Sequence, residues 1–597
     1  MGFTDFQSYL QNLEKEGELH RTNVEIDPAL ELTEVAMRAQ REGKPALLVQ
    51  HPKNSRFPLV INHYASQKRI ELALGRHPQK IGEELIQFAE EFFPPTIKGF
   101  LRHRSLIGRL LKSRQKIVRS GISQECTAQL NLDALPIQIC WPQDGGRFIT
   151  YGQVITYHPL NGRRNIGIYR MHVFDQTTTG IHWQIQKGGG FHYYYAEKMG
   201  RDFEVAVALG TSPALTFATI AALPEGIDEA LFAGFLAGRP VEFIRGRTGS
   251  LYVPGKAEFI LEGIVPANER RLEGPFGDHF GHYSAASEFP VFHLRALTHR
   301  KDPIYPVTVV GKPPMEDTYL GDATQQMLGP LAKLIHKEVR DLWAYSEAGF
   351  HNLLVVAIEQ RYQKEAVKAA LGLMGTDQLS LTKCIVTVSE DVDVKDWHAV
   401  LREIRDNFDP HSDFIMIPKV PLDTLDFTSF KMNLGSKMII DATRKQRVPD
   451  SAGRIAKQRE GEENRKDQYK SLRTLDSRVL DVNLVEDTLL LLRVTSGGHD
   501  VLIKVLGDTR SAGLPMVAAV SDDVDIHTKL SYIWGIFTRF DCERDVIFRE
   551  QNLIGISPVY KGTMAIDATW KNGYPEPLVM KEEIVRKVDE KWGMIWK

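Results

Sequence analysis

The chain has 597 residues, of which 43% are hydrophobic and 25% charged, with a formal net charge of −2. That length exceeds one hydrophobic core and implies about three or four domains of about 150 residues each. The composition argues against a disordered scaffold, and the missing basic excess argues against nucleic acid as the main ligand. Cys126, Cys140, Cys384 and Cys542 are scattered without metal or paired spacing, which points to a reduced, cytoplasmic setting.

The first segment reads as an amphipathic helix, Phe6 to Leu19, without the basic flank or apolar stretch of a signal peptide. Short α/β segments follow to about residue 95. Lys98 to Arg119 carries eight Lys/Arg and no acid. Such a stretch can rest on an anionic membrane or form a solvated inter-domain helix. From about 120 to 300 short β runs dominate, among them Gln153–Tyr157, Gly167–Tyr169, Arg170–Phe174, Val241–Ile244 and Glu258–Glu262, with a helix at Gly226–Ala237. This predicts a β-barrel domain. The uncharged window Val205–Leu223 is broken by Gly210-Thr-Ser-Pro213 and reads as a buried strand and turn.

Beyond Pro306 the α/β alternation returns, and it returns twice. Val388-Ser-Glu-Asp-Val-Asp393 recurs as Val520-Ser-Asp-Asp-Val-Asp525, Phe408-Asp409 as Phe540-Asp541, and Ile440-Asp-Ala-Thr443 as Ile566-Asp-Ala-Thr569. An ordered series of this kind implies a duplicated α/β domain. The expected layout is therefore an N-terminal α/β domain (1–118), a β-barrel domain (119–304), an α/β domain (305–445), a charged linker (446–481) and a second α/β copy (482–597). Lys383 has Pro515 at its shifted position, so a charge-dependent role there is absent from the copy.

Chemistry concentrates in Glu273-Gly-Pro-Phe-Gly-Asp278, with Asn165-Ile-Gly-Ile-Tyr-Arg170 upstream. One arginine and two carboxylates can hold an acidic substrate and deliver a proton to carbon. The alternatives are an ordinary ion pair for Arg170 and Glu273 and a turn-capping carboxylate for Asp278. A metal-hydrolase reading from His279 and His282 lacks further ligands. His182-Trp-Gln-Ile-Gln-Lys187-Gly-Gly-Gly190 brings a cation into a glycine run, where bare N–H groups can approach a phosphate.

Together with Trp141-Pro-Gln-Asp-Gly-Gly and Leu381-Thr-Lys383, these motifs resemble the UbiD family of decarboxylases over about residues 5–445. The resemblance implies a central split β-barrel flavin-binding domain flanked by α/β domains. It implies prenylated FMN, Mn2+ or Mg2+, and K+ as cofactors. A flavin prenyltransferase of the UbiX kind would supply the flavin, and the assembly would be a homo-oligomer, dimeric or higher. The implied reaction is reversible, non-oxidative decarboxylation of an aromatic acid. Lys312-Pro-Pro-Met-Glu-Asp-Thr-Tyr-Leu-Gly-Asp322 looks like the branch acting on hydroxylated acids in quinone biosynthesis, with a 3-polyprenyl-4-hydroxybenzoate or a dihydroxynaphthoate as substrate.

Carried over by position, the catalytic set is Arg170, Glu273 and Asp278. Cofactor contacts fall on Ile168, Tyr169, Arg170, His182, Trp183, Gln184, Lys187, Gly188 and Lys383, and metal ligands on Asn165, Glu229 and Gln186. Gln186 stands where the family has histidine, and a neutral amide binds Mn2+ less well than imidazole. The competing reading is a non-catalytic component of a multi-chain decarboxylase that binds flavin poorly or not at all. Asp278 is expected to have a raised pKa, lifted by burial and Glu273 against the pull of Arg170.

Overall fold

The computed structural model describes residues 2–92, 102–184, 186–221, 223, 226–445 and 469–597. The start of the basic stretch and most of the expected linker lie outside the described residues. The chain forms two units, Met1–Leu328 with Pro575–Lys597, and Gly329–Tyr574.

In the first unit, helix Phe6–Lys15 opens on a capping box of Asp5 and Ser8. It stops four residues short of the expected end because Gly17 turns the chain at φ +72°. Strands Leu19–Thr22, Ala46–Val49, Leu59–Ile61 and Tyr305–Pro306 form a four-stranded sheet in that order. Helix Glu31–Arg41 buries Leu32, Val35, Ala36 and Ala39, the spacing of one helical face. On this helix lies the last helix of the chain, Glu582–Ile595, through Lys587 and Lys591 on Glu31 (2.6 Å each) and Arg38 on Asp589 (2.6 Å). The sequence pattern groups this tail with the 482–597 copy. Its buried Val588 and Ile595, with Trp592 and Trp596, join the core of the first unit instead.

Ten strands make one curled sheet. The path runs through Arg147–Ile149, Met171–Val173, Thr178–Gly180, Ser287–His299, Phe259–Val265, Phe203–Leu209, Gln153–Tyr157 and Arg164–Ile168. Strand Ser287–His299 also pairs with Arg270–Glu273 and Cys126–Ala128. Strand Phe203–Leu209 of this sheet is buried on both faces. Val205, Val207 and Leu209 enter one core, while Ala206 and Ala208 enter the other beside Leu215 and Phe217. That alternation produces an apolar run without making it a membrane span. Helix Arg104–Lys112 turns Leu106 inward, and Arg109 stacks on Phe235 at 5.0 Å and pairs with Glu84. Part of its apolar face and one of its cations are thus directed at protein. No described helix is long and apolar enough to cross a membrane.

The second unit holds two five-stranded sheets of the same plan. The first runs Val339–Ala344, Leu354–Ile358, Cys384–Ser389, Gly435–Asp441, Phe414–Val420; the other runs Val479–Val485, Leu489–Val494, Met516–Ser521, Ser557–Ala568, Val546–Ile554. In each, an antiparallel pair is followed by two parallel pairings and an antiparallel edge. The recurring residues make recurring bonds. Thr443 donates to Asp441 (2.5 Å) and Thr569 to Asp567 (2.6 Å). The hydroxyls of Ser389 and Ser521 accept from Arg444 N–H (3.0 Å) and Trp570 N–H (2.7 Å).

Candidate active site

Arg170 lies between strands Arg164–Ile168 and Met171–Val173, and its carbonyl accepts from His182 N–H at 3.2 Å. Glu273 ends strand Arg270–Glu273, opposite Ser287. The chain then turns at Gly274, whose φ of +88° favours glycine, into a two-residue hairpin, Phe276–Gly277 against Tyr283–Ser284. A Cβ on Gly277 would sit 2.1 Å from the Trp141 ring. Only a bare backbone therefore lets the hairpin close over Trp141, with Asp278 following directly.

The guanidinium joins both carboxylates. Arg170 Nε and Nη2 donate to the two oxygens of Glu273 (2.8 and 3.0 Å), Nη1 donates to Asp278 Oδ2, and Nη2 also reaches Ser284 Oγ (3.1 Å). Its flat face lies 4.8 Å from the centre of the Phe276 ring. Glu273 has no exposed surface. Burial alone would raise its pKa, but the Arg170 charge and the bonds from His182 and Arg170 bring it down to about 2. His182, stacked on Phe289 at 4.2 Å, is pushed below its ordinary pKa by burial and by Arg170.

Asp278 corrects the expectation of a raised pKa. Burial does lift it, yet the His279 hydrogen bond and the Arg170 charge outweigh burial and hold it well below the carboxylate range. Its other oxygen, Oδ1, accepts from the His279 backbone N–H (2.8 Å) and lies 2.9 Å from His279 Nδ1. His279 is therefore a neighbour of the acid that the motif does not single out, although it is the next residue. Two more carboxylates lie inside quoted motifs that give them no role. Asp144 accepts from Cys140, Trp141 and Gly277 N–H (2.9, 2.9 and 2.8 Å), and burial raises it to about 7. Its position in the Pro-Gln-Asp-Gly turn is the available signal. Asp317 is raised to about 6 by burial, with His279 pulling it down and Asp278 pushing it up.

The tail of the chain completes the hairpin. Tyr283 N–H donates to the Glu576 carbonyl (3.2 Å) and Leu578 N–H to the Gly281 carbonyl (2.9 Å). Nothing in Pro575-Glu-Pro577 announces this contact.

A second cluster surrounds the glycine run. Lys187 is the N-cap of helix Gly188–Lys198, so the helix N-terminus opens on three glycines. Tyr169 Oη accepts from Gly189 N–H at 3.0 Å, and Trp183 meets the Tyr169 ring edge-on at 4.9 Å. Lys187 Nζ lies 5.9 Å from the Tyr169 ring centre. Glu229 Oε2 accepts from Ile166 N–H (3.0 Å), and the Asn165 amide, turned to present its oxygen, accepts from Ile166 and Gly189 N–H (3.3 Å each). Burial raises Glu229 to about 7, the behaviour of a carboxylate without a full counter-charge. Ile168 and Gln184 flank this cluster and are half-buried.

Two of the expected site residues have surroundings of their own. Gln186 is exposed at φ +60°, and among the described residues no bond joins it to Asn165 or Glu229. Lys383 is fully buried in the second unit, its Nζ on the Phe540 carbonyl (3.0 Å) and on Asp426 (2.9 Å). An ammonium so engaged lends no support to a phosphate contact. Among the described residues no three His, Cys, Asp or Glu converge on a metal, and His282 bonds the Phe280 carbonyl (3.0 Å). The hydrolase alternative therefore has no ligand set among the described residues.

Gly188→Ala probes the cradle directly. Its Cβ would fall 2.2 Å from a terminal atom of the Asn165 side-chain amide. If this helix N-terminus holds the flavin phosphate that the resemblance implies, FMN affinity is expected to drop by about tenfold in a fluorescence titration, with circular dichroism unchanged.

A buried, charge-compensated carboxylate–arginine–carboxylate set such as this one is suited to acid–base chemistry on an anionic substrate. Similarity to known proteins gives the class. The 3-octaprenyl-4-hydroxybenzoate carboxy-lyase N-terminal, Rift-related and C-terminal domains match residues 10–89, 115–313 and 318–442. The chain belongs to this family, the UbiD carboxy-lyases, and is an enzyme of the decarboxylase class. An uncharacterized Archaeoglobus fulgidus protein is 43% identical over 449 residues, 75% of this chain and 93% of its own length. A 4-hydroxybenzoate decarboxylase subunit from Chlamydia pneumoniae is 34% identical over 575 residues, 95% of this chain and 94% of its own. Among solved structures, an evolved dimeric form of the UbiD-class enzyme HmfF from Pelotomaculum thermopropionicum, in complex with prenylated FMN, superposes with a TM-score of 0.61 at 24% identity. It covers 75% of this chain and 97% of that one, and shows a shared fold.

Proposed function

We propose that this chain is a prenylated-FMN-dependent, reversible, non-oxidative decarboxylase of a hydroxylated aromatic acid. The carrying observation is Arg170, forked onto Glu273 and bonded by its remaining nitrogen to Asp278. The name of the chlamydial relative favours a 4-hydroxybenzoate-type substrate. Quinone biosynthesis, with a 3-polyprenyl-4-hydroxybenzoate or dihydroxynaphthoate substrate, is the route assigned to it. That relative is named as one part of a decarboxylase, which favours the second reading, a component of a larger assembly. We further assign a flavin prenyltransferase as cofactor supplier, a homo-oligomeric assembly and a cytoplasmic location. The two sheets of the second unit are taken as a duplication, on their common strand order.

The residues present fit the cofactor. The buried Trp183 Nε1–H has no acceptor among the described residues, the glycine run leaves backbone N–H groups bare at a helix N-terminus, and Glu229 is raised for want of a counter-charge. Gly188 and Gly189 would hold the phosphate beside Lys187, with Ile168, Tyr169, His182, Trp183 and Gln184 around the ring system. Asn165 and Glu229 offer hard oxygens to Mn2+ or Mg2+, with K+ as a further cation. Gln186 completes that set only after moving toward them. Lys383 is left out. When bound, the modified flavin supplies an electron sink for the charge left on carbon as carbon dioxide departs.

The protein's part follows from charge. A substrate carboxylate entering the site competes with Asp278 for Arg170. Once Asp278 yields its place it loses the Arg170 charge and gains an anion beside it; both changes raise its pKa, against the His279 hydrogen bond that still lowers it. Substrate binding thus shifts Asp278 from counter-ion toward acid. Glu273 keeps Arg170 oriented throughout, because its own pKa of about 2 leaves it charged at any working pH. His279, 2.9 Å from Asp278 Oδ1, is placed to pass the proton to it. His279→Asn is expected to lower kcat by about 10²-fold with little change in KM, and to shift the pH profile of kcat. An unchanged profile would remove His279 from the proton path.

The test of the whole reading is co-expression with a flavin prenyltransferase, followed by an absorbance spectrum, metal analysis and carbon dioxide release from 4-hydroxybenzoate and its 3-alkyl derivatives. A colourless, metal-free protein that releases no carbon dioxide would sink it.

A further inference from the structure

The second unit contains an interface that reads the same from both sides. Helices Trp397–Asn407 and Lys529–Phe537 occupy equivalent places in the two copies, and Leu401, Ile404, Trp534 and Phe537 share one buried core. Trp397 and Phe537 meet at 6.1 Å. The polar contacts are reciprocal. His398 and Arg402, on the first helix, pair with Glu486 (3.1 Å each), in the turn after the second copy's strand Val479–Val485. Lys529, on the second helix, pairs with Glu347 (3.1 Å), in the turn after the first copy's strand Val339–Ala344.

The pattern repeats one element later. The short helix Pro410–Asp413 lies against strand Ser557–Ala568 of the other copy, and its counterpart Cys542–Asp545 lies against strand Gly435–Asp441. When element i touches j′ and i′ touches j, the surface is isologous, the kind that two identical chains form about a twofold axis.

We propose that the second copy is a built-in partner, which occupies the self-association face of the first copy so that no second chain pairs there. The inference rests on the duplication reading and is independent of the catalytic one. The Archaeoglobus fulgidus relative matches over 449 residues, 93% of its length, which leaves no room for a second copy. A chain of that length that kept the same apolar face would have another molecule to cover it. Joining the copies makes their association intramolecular, at an effective concentration in about the millimolar range. The axis is approximate. Lys383 is sealed against the Phe540 carbonyl and Asp426, while Pro515 stands at the matching position of the copy. The second copy therefore completes an interface without duplicating every group of the first.

The test uses the full chain. Equal amounts of 14N- and 15N-labelled protein are mixed and treated with a zero-length carbodiimide, and peptides joining Lys529 to Glu347 are read by mass. Isotopically pure cross-links only, at a light-scattering mass unchanged by the reaction, are the expected result. Mixed-isotope cross-links would show that the face pairs two chains and would overturn the proposal. As a second measurement, His398→Cys/Glu486→Cys and Glu347→Cys/Lys529→Cys, in a Cys126→Ser background, are treated with a short bismaleimide. Both pairs should close within one chain. Closure of only one pair, or closure of the mixed pair His398→Cys/Glu347→Cys, would refute the twofold arrangement. Neither readout involves turnover, so a failure here is distinct from a failure of the decarboxylase reading.

Discussion

Arg170→Lys is expected to lower kcat/KM by about 10³-fold while the protein still folds. The guanidinium makes four bonds at once, two to Glu273, one to Asp278 and one to Ser284. A single ammonium cannot span those directions. The charge survives, so the fully buried Glu273 keeps a counter-ion and the fold holds. Arg170→Ala removes that counter-ion, and uncovering a buried charge costs about 3–5 kcal/mol. The two variants should therefore separate cleanly. The lysine variant loses turnover with a nearly normal denaturation midpoint, and the alanine variant loses both. A lysine variant with parental kcat/KM would mean that the fork is only an ion pair.

Asp278→Asn is expected to reduce kcat by about 10²–10⁴-fold, the usual contribution of a positioned acid. KM should not rise. The asparagine no longer competes as an anion for Arg170, so substrate carboxylate binds as well as before or better. The split between kcat and KM is what distinguishes a proton donor from a residue that merely shapes the hairpin. Because an amide cannot ionise, the variant should also lose the limb of the pH profile that belongs to Asp278. Parental turnover in this variant would exclude Asp278 as the donor.

The convergence of Arg170 with Glu273 and Asp278 was legible because two of the three lie in one short motif and the third ends another. The common plan of the two sheets was legible from repeated residues such as Asp441 and Asp567, each of which accepts from a threonine two positions on. The sign of the Asp278 shift was not legible. It depends on which oxygen faces His279 and which faces Arg170, a matter of side-chain rotation in the closed hairpin. The surroundings of Lys383 were not legible for a similar reason. Its partner carbonyl at Phe540 is 157 residues away, and no local pattern reports a pairing at that range. Of the three expected metal ligands, Asn165 and Glu229 meet at one N–H, while Gln186 stands exposed at a positive φ that no local pattern announces.

The contact between Glu576–Leu578 and the Asp278 hairpin joins segments far apart in the sequence. A cut just ahead of Glu576 would spare every side chain of the Arg170 cluster and yet separate the hairpin covalently from the segment that supplies two of its backbone partners. Limited proteolysis at that point is therefore a way to loosen the support of the loop while leaving its residues unchanged.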